Sequence, residues 1–405
     1  MALVVQKFGG SSVADAKKLF NVAGRITDTY KEGNSVVVVV SAQGDTTDDL
    51  LEKAEEINPN ASKREMDMLL STGEQITISL LAMAIEKLGY PVISLTGWQV
   101  GMKTDSNYSN ARIHEIDSER IHMELDKKRI VIVAGFQGIN KYDDITTLGR
   151  GGSDTTAVAL AAELKADVCE IYTDVDGVYT ADPRIVKDAV KLDDVSYDEM
   201  LELASLGANV LHNRSVEMAK KYNVNLVVRS SFSKAAGTYV KEVSGVEKML
   251  IKGVSRDNDV ARIALIGLND EPGIAFKIFS LLAKHKINVD IILQSIGRHN
   301  TKDISFTVSA GNLEEALSVL EEGKERIGFD HIETATNVSK VSIVGAGMVN
   351  NPGVAAKMFE ALFESSINIH MISTSEIKVS VLIDQKDAEQ AVLAIHDKFK
   401  LARSI

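Results

Sequence analysis

The sequence predicts an α/β protein with a mainly parallel sheet between helix layers, followed by two smaller α+β modules. Over the first 245 residues apolar strands alternate with helical segments, and residues 36–40 are all valine. Continuous β-branched runs are typical of parallel strands that are covered on both faces. Further along, Pro272-Gly273 recurs as Pro352-Gly353, 80 positions later, which indicates an internal duplication. A chain of 405 residues accommodates these parts as two or three domains.

Composition and charge restrict the class of protein. Apolar residues make up 45% and charged residues 25% of the chain, as in ordinary globular proteins. The net charge of -12 argues against nucleic acid as the main partner, and no apolar run reaches membrane-spanning length. The short N-terminal strand is broken by Lys7 and does not resemble a signal peptide. The single cysteine, Cys169, excludes an intrachain disulfide, so we expect a reducing, cytoplasmic location.

Clusters of glycine and polar residues follow four of the predicted strands, near 3–8, 36–40, 130–135 and 168–172. Ligands of open α/β sheets bind at the carboxyl ends of the strands. We therefore expect one pocket along this edge of the sheet. The four clusters begin at Lys7, Ser41, Gln137 and Thr173.

The loop richest in glycine spans residues 147–157, where three glycines within four positions lead into an alanine-rich helix. Exposed backbone N–H groups and the positive end of the following helix suit an anion. Arg150 adds a planar guanidinium group for a carboxylate or a phosphate. The alternative is a simple turn in which Ser153 or Asp154 caps the helix.

A second glycine turn, Gly9-Gly10, separates the first strand from a helix expected near 12–30. With Lys7 beside it, this turn predicts a phosphate cradle that contains a positive charge. The spacing matches neither a P-loop nor a dinucleotide-binding or protein-kinase glycine loop. The alternative is a tight turn next to a surface lysine.

Helices are expected near 48–56, 65–88 and 196–221, and residues 97–110 are expected to form a long polar loop. Gly73 lies inside the second helical pattern, where glycine costs about 1 kcal/mol relative to alanine. We therefore expect a break at which Glu74 faces a ligand, with a solvated glutamate as the alternative. No histidine has a partner at metal-ligand spacing, so we predict no metal site.

Four motifs in order along the chain resemble those of aspartate kinases (aspartokinases) in the amino-acid kinase family. The resemblance covers essentially the whole chain and implies the amino-acid kinase fold for a catalytic domain at residues 1–245. It also implies a phosphotransferase that moves the γ-phosphate of ATP to the β-carboxylate of L-aspartate. The product would be 4-phospho-L-aspartate, at the start of the route to lysine, threonine, methionine and isoleucine. The motifs are Lys7-Phe8-Gly9-Gly10-Ser11-Ser12, Ser71-Thr72-Gly73-Glu74, residues 147–157 and residues 173–184.

The resemblance implies roles for individual residues. Lys7 and Asp154 would be catalytic, and Asp154 would orient Lys7 or bind magnesium. Mg²⁺ is expected as the counter-ion of ATP, without a site built wholly from protein groups. The residues expected to contact ATP are Lys7, Phe8, Gly9, Gly10, Thr173, Asp174, Tyr179 and Arg184. The residues expected to bind aspartate are Ser41, Thr47, Glu74, Arg150 and Ser153.

The duplicated region, residues 246–405, resembles two ACT domains, which are small modules that sense amino acids. The first is expected at about 262–338 and the second at about 340–405. The second copy lacks a final strand, whereas a spare apolar strand near 249–254 precedes the first copy. We therefore expect that strand to complete the second module, with the first module inserted within it.

The loop that opens the first helix of each module is a candidate effector site. Helix N-terminal N–H groups suit a carboxylate, and Asp270 suits an ammonium group. The resemblance implies ACT pairing across subunits of a homo-oligomer and feedback inhibition by lysine, threonine or both. A shorter regulatory subunit from an internal start occurs in some relatives. The alternative is a duplicated interface module without a ligand. The candidate effector residues are Asp270, Glu271, Pro272, Gly273, Ile274, Ala275, Asn288, Val289, Asp290 and Gln294 in the first module, and Ala355, Ala356, Ile369, His370 and Glu376 in the second.

Two other functions fit parts of the pattern. Another amino-acid kinase, acting on glutamate or on a nucleotide, would share the fold, but the ACT modules and residues 71–74 argue against it. A catalytically silent amino-acid sensor would keep the fold as well. The joint presence of Lys7, Glu74, Arg150 and Asp154 argues against that alternative.

Overall fold

The computed structural model describes residues 2–204, 210–242, 250–295 and 301–401, and it divides into two compact units. Among the described residues, the first unit comprises 2–178, 191–204 and 210–242, and the second comprises 179–190 and the residues from 250 onward. The boundary expected at 245 and residue 249 of the expected strand lie outside the described residues.

The first unit is built from strands that alternate with helices, as the sequence predicts. Its strands are β1 Leu3–Phe8, β2 Ser35–Val40, β3 Val92–Leu95, β4 Met102–Thr104, β5 Ile113–Ile116, β6 Ile130–Ala134, β7 Gln137–Ile139, β8 Ile145–Thr147, β9 Val168–Thr173, β10 Asp194–Val195, β11 Leu226–Ser230 and β12 Thr238–Val240. Its helices are α1 Ala16–Lys31, α2 Thr46–Ile57, α3 Lys63–Leu70, α4 Thr72–Lys87, α5 Glu119–Asp126, α6 Gly152–Glu163, α7 Tyr197–Leu203 and α8 Asn213–Tyr222.

The main sheet of this unit has the strand order β10-β12-β11-β9-β1-β2-β6-β3. Its neighbouring strands are parallel except for β11 and β12. Phe8, at the end of β1, lies opposite Val40 of β2 and Tyr172 of β9. Val40 in turn lies opposite Ala134, the last residue of β6. The carboxyl ends of these four strands therefore lie side by side, which brings their following loops to one edge.

The valine run of β2 is buried on both sides, which explains its composition. Residues 36, 38 and 40 belong to a core that also contains Ile26 of α1 and Ile85 of α4. Val37 and Val39, which point the opposite way, are also fully inaccessible to solvent. A strand covered on both faces has no position for a polar side chain.

The predicted polar loop at 97–110 is wrong in one part, because it contains β4. This strand belongs to a second sheet with the order β5-β4-β7-β8, in which Met102 lies opposite Ile116. These strands are three or four residues long. Such short strands show no clear alternation of apolar and polar residues, and their pairing is decided by distant parts of the chain.

The helix expected at 65–88 is divided at Ser71 into α3 and α4, so the predicted interruption is present. By length and composition alone, the stretch Lys63–Lys87 would be long and apolar enough to cross a membrane. Half of its most apolar window is buried inside the protein, as is usual for a core helix. The segment expected to be helical at 196–221 contains two helices, α7 and α8, and residues 205–209 between them lie outside the described part.

The second unit contains two four-stranded antiparallel sheets within its described residues. Its strands are β13 Gly253–Asp257, β14 Ala261–Asn269, β15 Ile292–Gln294, β16 Thr301–Val308, β17 His331–Ala335, β18 Val338–Val344, β19 Met371–Thr374 and β20 Lys378–Asp384. Its helices are α9 Ile274–Lys284, α10 Leu313–Glu322, α11 Lys324–Ile327, α12 Val354–Glu364 and α13 Ala388–Lys398.

The two sheets have the orders β15-β16-β14-β17 and β13-β18-β20-β19. Strand β13 precedes the first module in the chain, yet it pairs with β18 of the second, with Val254 opposite Ile343. Both side chains are buried in the core of the second module. The second sheet therefore takes its edge strand from a segment ahead of the first module, and this strand begins four residues later than the expected 249–254.

The segment Tyr179–Val190 packs in the second unit, although it lies between β9 and β10 in the chain. Ala181 and Val186 are buried in the core of the second module. The backbone N–H of Val254 donates to the carbonyl oxygen of Thr180 at 2.8 Å, and Thr180 Oγ1 lies 3.0 Å from His396 Nε2. The chain therefore leaves the first unit after β9, contributes to the second, and returns to form β10.

Candidate active site

Lys7 is held at the end of β1 by an acidic residue of a neighbouring helix. Its Nζ lies 2.7 Å from Asp154 Oδ1, and both side chains are largely buried, at 12% and 13% exposed. Asp154 lies in the first turn of α6. The ion pair places a lysine ammonium beside the positive end of a helix, and this arrangement suits a strongly negative ligand.

The Gly9-Gly10 turn connects the loops that follow β1 and β2. The backbone N–H of Gly44 donates to the carbonyl oxygen of Gly10 at 3.0 Å, and the N–H of Ser41 donates to that of Phe8 at 3.2 Å. A Cβ on Gly10 would lie 2.6 Å from the carbonyl oxygen of Ala42, so no side chain fits there. The absence of a side chain lets the two loops approach closely and form one surface.

Glu74 is a buried carboxylate, which contradicts the alternative of a solvated glutamate. It is 3% exposed, and its Oε1 accepts a hydrogen bond from the backbone N–H of Ala42 at 3.0 Å. Its Oε2 is buried and has no hydrogen-bond partner. Burial raises the pKa of Glu74 to about 7, although the bond from Ala42 partly opposes this effect. The side chain therefore offers one unused acceptor to a ligand.

The glycine-rich loop turns sharply before α6. Gly149 and Gly151 have φ of 78° and 67°, in the left-handed region that favours glycine. Gly151 occupies the N-cap position, so the alternative in which Ser153 or Asp154 caps the helix is wrong. Ser153 is 6% exposed and Arg150 is exposed. The loop therefore presents Arg150 outward, immediately before the buried start of the helix.

Two side chains that the sequence analysis did not assign to the site, the buried Gln137 and the partly buried Arg214, hold these loops in place. Gln137 donates from Nε2 to the carbonyl oxygen of Ser71 at 2.9 Å. Arg214 donates to the carbonyl oxygens of Leu148 and Ala111 at 2.9 and 2.7 Å. Their partners are 66 to 103 positions away in the chain, so no local pattern reveals them.

The remaining aspartate-site candidates surround the loop after β2. The backbone of Ser41 is fixed by the bond to Phe8 described above. Thr47 lies in the first turn of α2. Within the described residues, no group of three or more histidine, cysteine or acidic side chains is placed to hold a metal ion.

The candidate nucleotide residues are divided between the two units. Thr173 ends β9, and its hydroxyl donates to Asp174 Oδ1 at 3.0 Å. Its carbonyl oxygen accepts bonds from the N–H and the hydroxyl of Ser231, both at 2.9 Å. Tyr179 and Arg184 belong to the segment that packs in the second unit, where Arg184 forms an ion pair with Asp182 at 2.7 Å. Their contact with ATP stays a prediction.

In the first module, two candidate effector residues already hold lysine side chains. Asp270 Oδ1 lies 3.0 Å from Nζ of Lys302, which is 9% exposed. Asp290 Oδ2 lies 2.5 Å from Nζ of Lys340, which is 6% exposed and also lies 3.4 Å from Asp257. These carboxylates are therefore partly neutralised within the protein. The rest of the predicted loop, from Glu271 to Ala275, enters α9 through Gly273 at φ 92°.

In the second module, Gly353 has φ 95° and leads into α12, which repeats the turn before α9. His370 Nε2 lies 2.8 Å from Asp384 Oδ1. These two side chains line a cavity of about 330 Å³ at the junction of the modules, together with Arg262 and residues 334–338. Three further candidates, Val289, Ala355 and Ile369, are partly buried against the module cores and offer a ligand little more than backbone groups.

Comparison with known proteins identifies both parts of the chain. Residues 2–230 match the family model of the amino acid kinase family, and residues 263–323 and 341–399 match that of the ACT domain. The aspartokinase of Bacillus sp. (strain MGA3) is 52% identical over 405 residues, which cover 100% of this chain and 98% of that protein. The chain belongs to the aspartokinase family.

Solved structures of this family share the fold. Aspartokinase III of E. coli in complex with aspartate and ADP aligns with a TM-score of 0.81 at 26% identity, over 98% of this chain and 99% of that one. The complex of the same enzyme with lysine and aspartate aligns with a TM-score of 0.78 over the same shares. The expected amino-acid kinase fold with C-terminal ACT domains is thereby confirmed, and so is the expectation that the protein is a kinase.

The buried carboxylate of Glu74 predicts how stability depends on pH in the ligand-free protein. Because the folded pKa is raised above the unfolded value of about 4.5, its stabilising contribution is complete below that pH and is lost as pH rises through about 7. Glu74→Gln carries no charge at this position. We therefore expect its melting temperature, relative to that of wild type, to increase as the pH is raised from 4.5 to 8. The gain corresponds to at most roughly 3 kcal/mol.

The control is Glu124→Gln. Desolvation raises the pKa of Glu124, but hydrogen bonds from Lys127 and Arg129 outweigh it, so the pKa is lowered overall. Its stabilising contribution is therefore present at neutral pH and lost in acid, and this variant should lose stability at pH 7 but less at pH 4. The same pH trend in both variants would contradict our account of Glu74.

Proposed function

We propose that the protein transfers the γ-phosphate of ATP to the β-carboxylate of L-aspartate in the cytoplasm and forms 4-phospho-L-aspartate. The observation that carries this proposal is the unused Oε2 of Glu74, buried beside the loops at the carboxyl edge of the sheet. A buried carboxylate oxygen without a partner suits the α-ammonium group of an amino acid. The E. coli relative was solved with aspartate and ADP, which supports this choice of substrates.

The reaction requires two anions to approach each other. An ionised carboxylate attacks phosphorus without a general base, so the protein mainly has to position the groups and neutralise charge. Lys7 would neutralise the transferring phosphoryl group, and the Gly9 and Gly10 backbone would lie against the phosphates. Asp154, 2.7 Å from the Lys7 ammonium, would keep it directed at that point. Removing the Lys7 charge should therefore slow the chemical step more than it weakens aspartate binding.

The substrates would occupy neighbouring loops. Arg150 would bind a carboxylate of aspartate, with Ser153, Ser41 and Thr47 as further donors. ATP would contact Phe8, Thr173 and Asp174. Mg²⁺ would accompany ATP as its counter-ion.

The ACT modules would place this activity under feedback control. We propose that lysine, threonine or both bind at the candidate effector loops, and that the modules pair across subunits of a homo-oligomer. A shorter regulatory subunit from an internal start would fit the same assembly. The E. coli relative has been solved with lysine bound, which supports an amino acid as the effector. The activity would then begin the synthesis of lysine, threonine, methionine and isoleucine.

Acyl-phosphate formation tests the reaction directly. Wild-type protein with ATP, Mg²⁺ and L-aspartate should give a product that hydroxylamine traps as the hydroxamate. Glu74→Gln should raise the KM for aspartate by roughly 10- to 100-fold, because a neutral amide replaces the partner of a buried ammonium. Lys7→Met should instead lower kcat by roughly 100-fold or more.

In a parallel assay, L-glutamate replaces L-aspartate as the phosphate acceptor. If product forms from glutamate and none forms from aspartate, the proposed aspartate substrate is wrong and another amino-acid kinase activity is favoured. An intact, folded wild type that makes neither product would favour a silent amino-acid sensor.

The same assay tests regulation, with no addition, with lysine, with threonine and with both. Inhibition is expressed relative to the uninhibited rate of each variant. We expect Asp270→Asn to raise the half-inhibiting effector concentration by roughly tenfold, because the carboxylate near the ammonium site is lost. Glu314→Gln, in the first turn of α10, is the matched control and should match wild type. Equal inhibition of wild type and Asp270→Asn would remove this loop from the effector site.

A further inference from the structure

Asp67 is a buried carboxylate for which the proposed reaction has no direct use. It lies on α3 and is fully inaccessible to solvent. Five hydrogen bonds of 2.8 to 3.2 Å reach its two oxygens, all from Ser109 and Thr147. Both backbone N–H groups among these donors can only donate, so both oxygens of Asp67 act as acceptors.

The two partners of Asp67 lie on either side of the glycine-rich loop. Thr147 is the last residue of β8 and stands three positions before Arg150. Ser109 has a φ of 66°, and its carbonyl oxygen would lie 3.0 Å from a Cβ on Gly149. Asp67 therefore fixes both the strand that leads into the loop and the segment against which the loop packs.

One face of the α3–α4 stretch contacts three separate segments of the chain. Ser71, where α3 and α4 meet, keeps helical dihedral angles (φ -59°, ψ -18°). Asp67, Ser71 and Glu74 are four and three positions apart, so they lie on the same side of this stretch. Asp67 accepts a bond from the backbone N–H of Thr147 at 2.8 Å, and Glu74 accepts one from that of Ala42 at 3.0 Å. Ser71 accepts one from Gln137 through its carbonyl oxygen. The anchor of the Arg150 loop and the candidate ammonium acceptor thus lie on two helices that follow each other directly at Ser71.

We propose that Asp67 is a positioning residue for the amino-acid substrate. It would fix the distance between Glu74 and the loop of Arg150, so that both can hold the ammonium and a carboxylate of one substrate molecule. This role rests on the proposed function of those two residues. Small errors in the position of the binding groups are enough to weaken the binding of a substrate that must be held at both ends.

The phosphate-binding side of the site has its own anchors. Lys7 forms an ion pair with Asp154, and the carbonyl oxygen of Gly10 accepts a hydrogen bond from the backbone N–H of Gly44. Neither contact involves Asp67. Loss of Asp67 should therefore weaken binding of the amino acid and leave binding of ATP nearly as it was, which a general loss of structure would not do.

The first test is Asp67→Asn, which keeps the size of the side chain but replaces one accepting oxygen with an NH₂ group facing N–H donors. We expect the KM for L-aspartate to rise roughly 10- to 100-fold, because a buried donor is left unsatisfied. The KM for ATP should change by less than about twofold. Thr147→Val, which removes one of the five bonds, should produce a smaller rise in the same direction.

The second test is a double-mutant cycle with Arg150→Met. If Asp67 acts through the loop of Arg150, then Asp67→Asn should add little to the KM for aspartate once Arg150 is replaced. Effects that multiply in the double variant, or equal rises in the KM values of both substrates, would overturn the proposal. If Asp67→Asn does not fold, the same cycle is made with Thr147→Val.

Failure of the proposed role of Asp67 can be distinguished from failure of the proposed function. A wild type that phosphorylates a different amino acid contradicts the aspartate assignment alone, and the cycle is then run with that acceptor. A folded wild type without kinase activity contradicts both.

Discussion

Burial of the Glu74 carboxylate is the constraint around which the candidate active site is arranged. The rise of its pKa from 4.5 to about 7 corresponds to about 3 kcal/mol against the charged form. The site is possible because Gly73 lets α4 approach the loop after β2: a Cβ there would lie 2.7 Å from the Cβ of Ala42. The Ala42 N–H then satisfies one oxygen, and the other remains for a ligand. The close contact of helix and loop thus leaves the buried acceptor on which the proposed recognition of an ammonium group rests.

The sequence predicts the parts of this site that depend on local patterns. Strands that end in glycine and polar clusters, and the break before Glu74, follow from periodicity and from the properties of glycine. The order of the module strands also follows, because counting strands leaves β13 without a partner in the first copy. The side chains that hold the loops of the site could not be predicted from the sequence, since Arg214 and Gln137 form hydrogen bonds to residues 66 to 103 positions away. The short strand β4 is missed for the same reason, because its partners lie elsewhere in the chain.

The regulatory unit shows a second consequence of buried charge. By sequence, Asp270 suits an effector ammonium and Asp290 is a further candidate effector residue. The structure pairs them with Lys302 and Lys340, which are almost fully buried. An effector that used these carboxylates would have to displace a lysine, so binding would be coupled to rearrangement within the modules. The segment Tyr179–Val190 packs in this unit and continues at both ends into strands of the catalytic unit.

We propose that Glu74 receives the ammonium group of the amino-acid substrate. Titration calorimetry of L-aspartate at pH 7, in buffers of different ionisation enthalpy, measures the protons exchanged on binding. A nearby positive charge lowers the pKa of a carboxyl group, so a glutamate with a pKa of about 7 should release a proton fraction when the substrate binds. We predict proton release from wild type that disappears in Glu74→Gln. Equal proton exchange in the two proteins, or proton uptake by wild type, would contradict the account.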